Sequence, residues 1–198
     1  SVSGSVGLET ATALSGTASA RIAQAVGYLE ERFVATDDAW VRLTIRLDSL
    51  PSGSPRVVML SNAGTTQANL VLTSSGRLRL RIGSTTVGVD SPPLAVGTTY
   101  AVGLHQRRGS GGNAVAEAFL APVGQSFGAP FAARTTGTWT TAADRLRIGA
   151  TNGNAVAVTV DDVRIDGGAM PSAGSPSTGV TAASGITGST AATVVERS

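Results

Sequence analysis

The sequence predicts an all-β protein, a sandwich or barrel of short strands. Apolar residues alternate with polar ones in segment after segment, the period-two pattern of half-buried strands. Clusters of Gly, Pro, Ser and Asn punctuate those segments at short intervals. No window of helical length keeps an apolar stripe without a Gly or Pro inside it. With 198 residues the chain is long enough for one sizeable core.

The stretch 1–19 is rich in Ser, Gly, Thr and Ala and carries no regular signal. Residues 20–33 read as strand, because their apolar spacing is irregular and Gly27 sits inside them. From Trp40 to Leu47 the alternation is strict: Val41, Leu43, Ile45 and Leu47 share one face, and Trp40, Arg42, Thr44 and Arg46 the other. The turn cluster 50–55 precedes short strands at 56–60 and 68–73. Ser74-Ser75-Gly76 then joins the latter to 77–82 as a hairpin, with Leu78, Leu80 and Ile82 facing in and Arg77, Arg79 and Arg81 facing out. Further strands follow at 85–89, 99–106, 114–120, 145–148 and 155–165. From Gly167 to Ser198 the composition turns linker-like, and only Val180, Ile186, Val194 and Val195 offer burial. That segment reads either as a flexible connector or as an assembly arm ordered against a neighbouring subunit.

Composition excludes several partners and chemistries. All fifteen basic residues are arginine, so an isoelectric point near 9.9 reflects arginine's high pKa while the net charge is only +2. No basic run exceeds Arg107-Arg108, and nucleic-acid binding, which needs a concentrated basic stripe, is not expected. Apolar runs such as 57–60 are too short for membrane insertion. The chain starts at Ser1 rather than Met, as expected of a processed, trimmed or excised polypeptide.

Catalytic sets are hard to assemble. His105 is the single histidine and there is no cysteine, which leaves no zinc site and one weak candidate for a triad base, more simply read as a solvent-facing or hydrogen-bonded strand residue. No lysine means no Walker loop and no Schiff base. Glu30-Glu31 and Asp37-Asp38 are adjacent pairs whose members point to opposite sides of a strand, and Glu117 stands alone. At Asp161-Asp162 the apolar register changes parity, from Val156, Val158 and Val160 to Val163 and Ile165. Either a bulge resets it or one aspartate turns inward, where it needs hydrogen bonds or a cation.

The order of elements resembles the laminin-G/concanavalin-like jelly-roll superfamily. The resemblance rests on Gly7–Thr10 and Ser15–Ile22, Trp40–Leu47 with Ser49–Pro51, Gly76–Leu80, Leu94–Tyr100, Leu146–Gly149 and Val160–Asp166. It implies a two-sheet antiparallel jelly-roll sandwich over residues 1–166 and a low-complexity tail over 167–198. Relatives in bacterial surface and phage tail or head proteins imply an extracellular or virion-surface location. Some related carbohydrate-binding modules hold a structural calcium, which by resemblance would use Glu9 with Asp161 or Asp162, although a hydrogen-bonded, register-setting Asp explains the same pattern. The superfamily's Glu-x-Asp-x-x-Glu glucanase signature is missing.

These readings lead to a non-catalytic structural or decorating module of a larger assembly, oligomeric with other protein subunits and not an enzyme. The alternative is a lectin-like module binding surface polysaccharide through Trp40 and Trp139, and a more distant one is a glycoside hydrolase. The outward arginines Arg42, Arg46, Arg77, Arg79, Arg81, Arg145 and Arg147 form either a solvated face or an interface for an acidic glycan or an acidic subunit.

Overall fold

The computed structural model describes residues 1–173 and 195–197, and it is all-β, with no helix among the described residues. In chain order the strands are β1 (Val2–Glu9), β2 (Ser19–Thr36), β3 (Asp38–Ser49), β4 (Arg56–Asn62), β5 (Thr65–Leu72), β6 (Leu78–Ile82) and β7 (Thr85–Val87). They continue as β8 (Thr99–Arg107), β9 (Gly109–Pro122), β10 (Ala132–Trp139), β11 (Ala143–Ala150), β12 (Ala157–Asp166) and β13 (Val195–Arg197). Hydrogen-bonded order along the ladder is β10-β9-β8-β3-β12-β2-β11-β4-β5-β6-β7, with β1 added to β2 and β13 to β12. Every pairing is antiparallel except β12 with β13.

Strand β2 is eighteen residues long and serves two sheets. Its residues 20–22 pair with β12, and its later residues from Gly27 to Thr36 pair with β11. The ladder thereby folds into a front sheet (β10-β9-β8-β3-β12) and a back sheet (β11-β4-β5-β6-β7), with β5 packed across β8 and β6 and β7 across β10. Between them the inward residues of the two sheets interdigitate: Val41, Leu43, Ile45 and Leu104 from the front, Leu60, Leu70, Leu80 and Leu146 from the back. Each such side chain contributes about 1.5–3 kcal/mol by leaving water.

The alternation read from the sequence fixes these faces correctly, and the Ser74–Gly76 hairpin forms as expected. Gly76 has φ +73° there, and a Cβ would stand 3.0 Å from the Leu94 carbonyl oxygen, so only glycine fits. Two strands carry no apolar alternation and were not anticipated. β1 is strung with Ser and Gly and packs only Val2 and Val6 against the core. β10 is Ala, Thr and Gly, and its pairing with β9 rather than side-chain burial makes it a strand. Trp139 is the last residue of this strand.

Segment 167–173 lies against the front sheet, where Met170 approaches Gly103 and Arg164 donates to the Ser172 carbonyl at 3.2 Å. Val180, Ile186 and Val194 fall outside the described residues; Val195 pairs with Val163.

Candidate functional site

Outward-facing residues of the back sheet form an arginine-rich polar surface. Antiparallel registry aligns Glu30 of β2, Arg147 of β11, Met59 of β4, Asn69 of β5 and Arg81 of β6 in one transverse row. Tyr28 and Arg32 share the Glu30 face of β2, since side chains repeat every second residue. Met59, Ser61 and Asn69 are 2%, 0% and 0% exposed although they project away from the core. Long side chains close over them: Arg56 donates to Met59 Sδ at 3.4 Å and to Thr66 Oγ1 at 3.2 Å.

Glu30 is the anionic hub of this face. Arg147 Nε donates to its Oε2 at 2.6 Å, Arg32 Nε to its Oε1 at 2.9 Å, and Arg145 stands 3.8 Å from Oε2. Burial pushes the Glu30 carboxyl up, but the hydrogen bonds from Arg32 and Arg147 and the charges of Arg147 and Arg145 outweigh it and hold the group below its ordinary value. Arg147 also lies 4.8 Å over the Tyr28 ring, a cation–π contact that fixes both. At the far edge Arg79 grips Asp90 through two bonds of 2.7 Å, Arg77 donates to the Ser91 carbonyl at 2.8 Å, and Arg81 Nε to the Ser84 carbonyl at 3.0 Å.

Donors and acceptors remain unmatched there. Asn69 Oδ1, Ser61 Oγ, Arg56 Nε and Arg145 Nε are buried with no hydrogen-bond partner among the described residues, as are Trp40 Nε1 and Trp139 Nε1 in the front sheet. Burial, and to a lesser extent the neighbouring charge of Arg81, depresses the Arg56 pKa. The face therefore carries excess positive charge and unspent hydrogen-bonding capacity.

The front sheet covers its outward face differently. His105 is 4% exposed, with Nε2 2.8 Å from Asp38 and Nδ1 2.9 Å from Glu117. Trp40 stacks on the imidazole at 3.4 Å, and Phe119 and Phe127 continue the cluster. Asp38 and Glu117 thus face each other across a buried ring, not across an open cleft. Phe119 and Phe127 belong to this outer cluster, whereas Phe33 and Tyr100 pack on the core.

The predicted arginine set is split between the sheets. Arg77, Arg79, Arg81, Arg145 and Arg147 share the back face; Arg46 is spent on Asp48, Thr12 and Thr159, and Arg42 bonds the Gln125 carbonyl at 3.1 Å. One face of the Trp40 ring is taken by His105, and the Trp139 ring lies over Gly137. At the aspartate pair it is the bulge that resets the register, and Asp161 stays on the outward face as the cross-strand partner of Thr44. The register shifts between Asp161 and Arg164, and Asp162 takes φ +48°. Asp161 Oδ2 accepts from the Ser15 amide and hydroxyl at 3.1 Å and from the Ser19 hydroxyl at 2.7 Å, which accounts for its burial. Glu9 Oε1 accepts from the amides of Ala11 and Thr12 in its own turn, and no group of three or more His, Asp or Glu that could hold a metal occurs among the described residues. Sequence reasoning missed Tyr28, Glu30, Arg56 and Asn69, whose convergence depends on strands distant in sequence. The available signal was Tyr28-x-Glu30-x-Arg32, three polar residues on one strand face.

No protein-family model and no curated protein sequence matches this chain. Among solved structures it is similar to an endo-β-1,4-glucuronan lyase from the fungus Trichoderma reesei, with TM-score 0.61 and 11% identity over 81% of this chain and 86% of that one. A Trypanosoma rangeli sialidase bound to 2,3-difluorosialic acid matches with TM-score 0.56 and 14% identity over 80% of this chain. A bifunctional GH43-CE protein of Bacteroides eggerthii matches with TM-score 0.50 and 9% identity over 75% of this chain. This chain spans only 26% and 22% of those two proteins. At such identities the likeness is one of fold, a jelly-roll-like β-sandwich that recurs in carbohydrate-active enzymes. It corrects the expectation of a non-catalytic structural or decorating module and the exclusion of an enzyme: the similar structures named above are a lyase, a sialidase and a bifunctional GH43-CE protein.

Proposed function

We propose that this chain is a concanavalin-like jelly roll that acts on a uronate-rich polysaccharide at the outer face of its back sheet, by β-elimination. The observation that carries the reading is the row from Tyr28 and Glu30 to Asn69 and Arg81. There arginines exceed their carboxylate partners and buried polar atoms lack partners. An acidic polymer supplies what that face lacks, carboxylates for its surplus of guanidinium groups. The glucuronan lyase, matched over most of both chains, supports the choice of an acidic substrate.

Elimination suits these residues better than hydrolysis. A hydrolysing carboxylate pair needs one member kept protonated. Here Glu30 and Asp90 are both held below their ordinary values by arginines, so neither serves as that acid. Elimination neutralises a uronate carboxylate, removes the acidified proton beside it, forms a carbon–carbon double bond and expels the glycosidic oxygen, which takes up a proton. It therefore needs a cation at the carboxylate and a group to move protons. Arg56 and Arg145 are placed for the first role and the Tyr28 hydroxyl for the second, with Glu30 positioning Arg147 against the Tyr28 ring.

The test incubates the full chain with glucuronan, alginate, polygalacturonate and hyaluronan and follows unsaturated uronate by absorbance. Product from at least one polymer, lost in Tyr28→Phe and in Arg145→Gln, supports the reading. Absence of both cleavage and binding overturns it. Binding without cleavage would favour the second reading, a sugar-binding module. That reading is supported by the sialidase match, in which this fold is one part of a larger chain.

A further inference from the structure

The positive surplus of the back face is not spread evenly. Arg32, Arg145 and Arg147 gather on Glu30, and Arg79 is paired with Asp90, whose carboxyl also feels the charge of Arg77. Arg56 and Arg81 have no acidic partner among the described residues. Arg56 is spent on Met59 Sδ and Thr66 Oγ1, both neutral. Arg81 donates through Nε and Nη2 to the Ser84 carbonyl, and its Nη1 makes no bond among the described residues. The two guanidiniums feel each other: after burial, the charge of Arg81 is what lowers the Arg56 pKa, and no carboxylate opposes it. Asn69 fixes the backbone beneath Arg81, because its Nδ2 donates to the carbonyls of Gln67, Arg81 and Gly83 at 3.3, 3.3 and 3.1 Å. Thr86 of β7 is the direct cross-strand partner of Arg81 and is exposed, which sets a hydroxyl beside the guanidinium. From Arg147 to Arg81 the sheet crosses three strand steps, β11 to β4 to β5 to β6, or about 14 Å at the usual spacing. One sugar ring does not span that width, so a group held at Arg81 belongs to a different unit from one held at Tyr28 and Arg145.

We propose that Arg81 sets the charge specificity of this face by taking an anionic group, a carboxylate or a sulfate ester, on a sugar unit other than the one cleaved. The inference rests on the polysaccharide reading above and adds a second charged position to it. An arginine already paired with a carboxylate must exchange one anion for another, whereas Arg81 exchanges only water and keeps its carbonyl bond. Arg56 reinforces the position through its charge, which partial burial leaves less screened than that of an exposed group. The Thr86 hydroxyl suits the hydroxyls of the same sugar. Because Arg81 lies away from the reacting atoms, it holds substrate and transition state alike, and its contribution falls on KM.

The test compares glucuronan cleavage by the full chain, Arg81→Gln and Arg81→Lys, with dextran sulfate and neutral dextran as competitors and calorimetry as a parallel measure of binding. Arg81→Gln is expected to raise KM and the dissociation constant about tenfold, the worth of one charge-assisted hydrogen bond, with kcat within about twofold of the parent. A retained kcat also shows that the variant is folded. Arg81→Lys should recover part of the loss, since it keeps the charge without the fork. Competition by dextran sulfate that vanishes in Arg81→Gln assigns sulfate esters to the position, and its failure to compete assigns carboxylates. An unchanged KM in Arg81→Gln, a lowered kcat at constant KM, or neutral dextran competing as well as dextran sulfate would each overturn the proposal. If the parent binds glucuronan without cleaving it, the same tenfold change in dissociation constant decides. A parent that neither binds nor cleaves any polymer overturns this proposal together with the polysaccharide reading. An active parent beside an unaltered Arg81→Gln overturns this one alone.

Discussion

The two outer faces of this sandwich solve the same problem in opposite ways. Each lies over an identical kind of apolar core, and each must satisfy the polar residues that alternation sends outward. On the front sheet they are closed in: His105 is clamped between Asp38 and Glu117, Trp40 covers it, and Phe127 and Met170 approach Gly103. On the back sheet Glu30 gathers Arg32, Arg145 and Arg147, yet Asn69, Ser61, Arg56 and Arg145 keep atoms without partners. Buried atoms without partners occur on the front sheet too, at Trp40 Nε1 and Trp139 Nε1, so the difference teaches that the back face is set apart by its surplus of arginines over carboxylates.

Breaking the hub of the back face should have the largest effect. Glu30→Gln leaves three arginines facing a neutral group, and a loss of about 3 kcal/mol is expected in chemical denaturation, together with loss of polymer cleavage. On the front face, His105→Ala removes the shared partner of Asp38 and Glu117 and the stacking surface of Trp40. The expected loss is about 2–3 kcal/mol, with polymer binding at the back face unchanged where the protein is folded. Gly103→Ala drives a methyl toward Phe119, Phe127 and Met170, 2.8–3.1 Å away, and should cost about 1–3 kcal/mol, read as a lowered Tm.

Acid sharpens the contrast, because Glu30 and Asp90 both ionise in the folded chain at lower pH than in the unfolded one. Their contribution is full above the ordinary values of 4.5 and 3.8 and disappears as pH falls through the depressed folded values. Urea midpoints are expected to stay level down to about pH 5 and then to decline, and Glu30→Gln should flatten that decline. A decline unchanged in the variant would assign it elsewhere. The smallest stability effect belongs to Tyr28→Phe, which keeps the ring under Arg147: within about 0.5 kcal/mol of the parent, while cleavage is lost.

The fold was legible because strands such as β3 and β6 carry their inward and outward faces in strict alternation. β1 and β10 were not, since strands of Ser, Thr, Ala and Gly owe their pairing to neighbours, and no period in the sequence reports a ladder. Asp161 was readable as an anomaly from the change of parity, and the structure supplies its serine donors. The back-face site was half legible. Arg145, Arg147 and Arg81 were expected to face outward, but their grouping with Glu30 and Asn69 requires the order β2-β11-β4-β5-β6, which joins residues up to 117 positions apart. Splitting Arg42 and Arg46 from the other arginines required the same knowledge.

The most direct test of the account is a titration of the intact chain with a short glucuronan oligosaccharide, followed by backbone and side-chain NMR shifts. The account predicts that Tyr28, Asn69, Arg145 and Arg147 respond together, in a row across β2, β11 and β5. Shifts confined to the front sheet, or none at all at saturating oligosaccharide, would contradict the assignment of the back face as the polysaccharide surface.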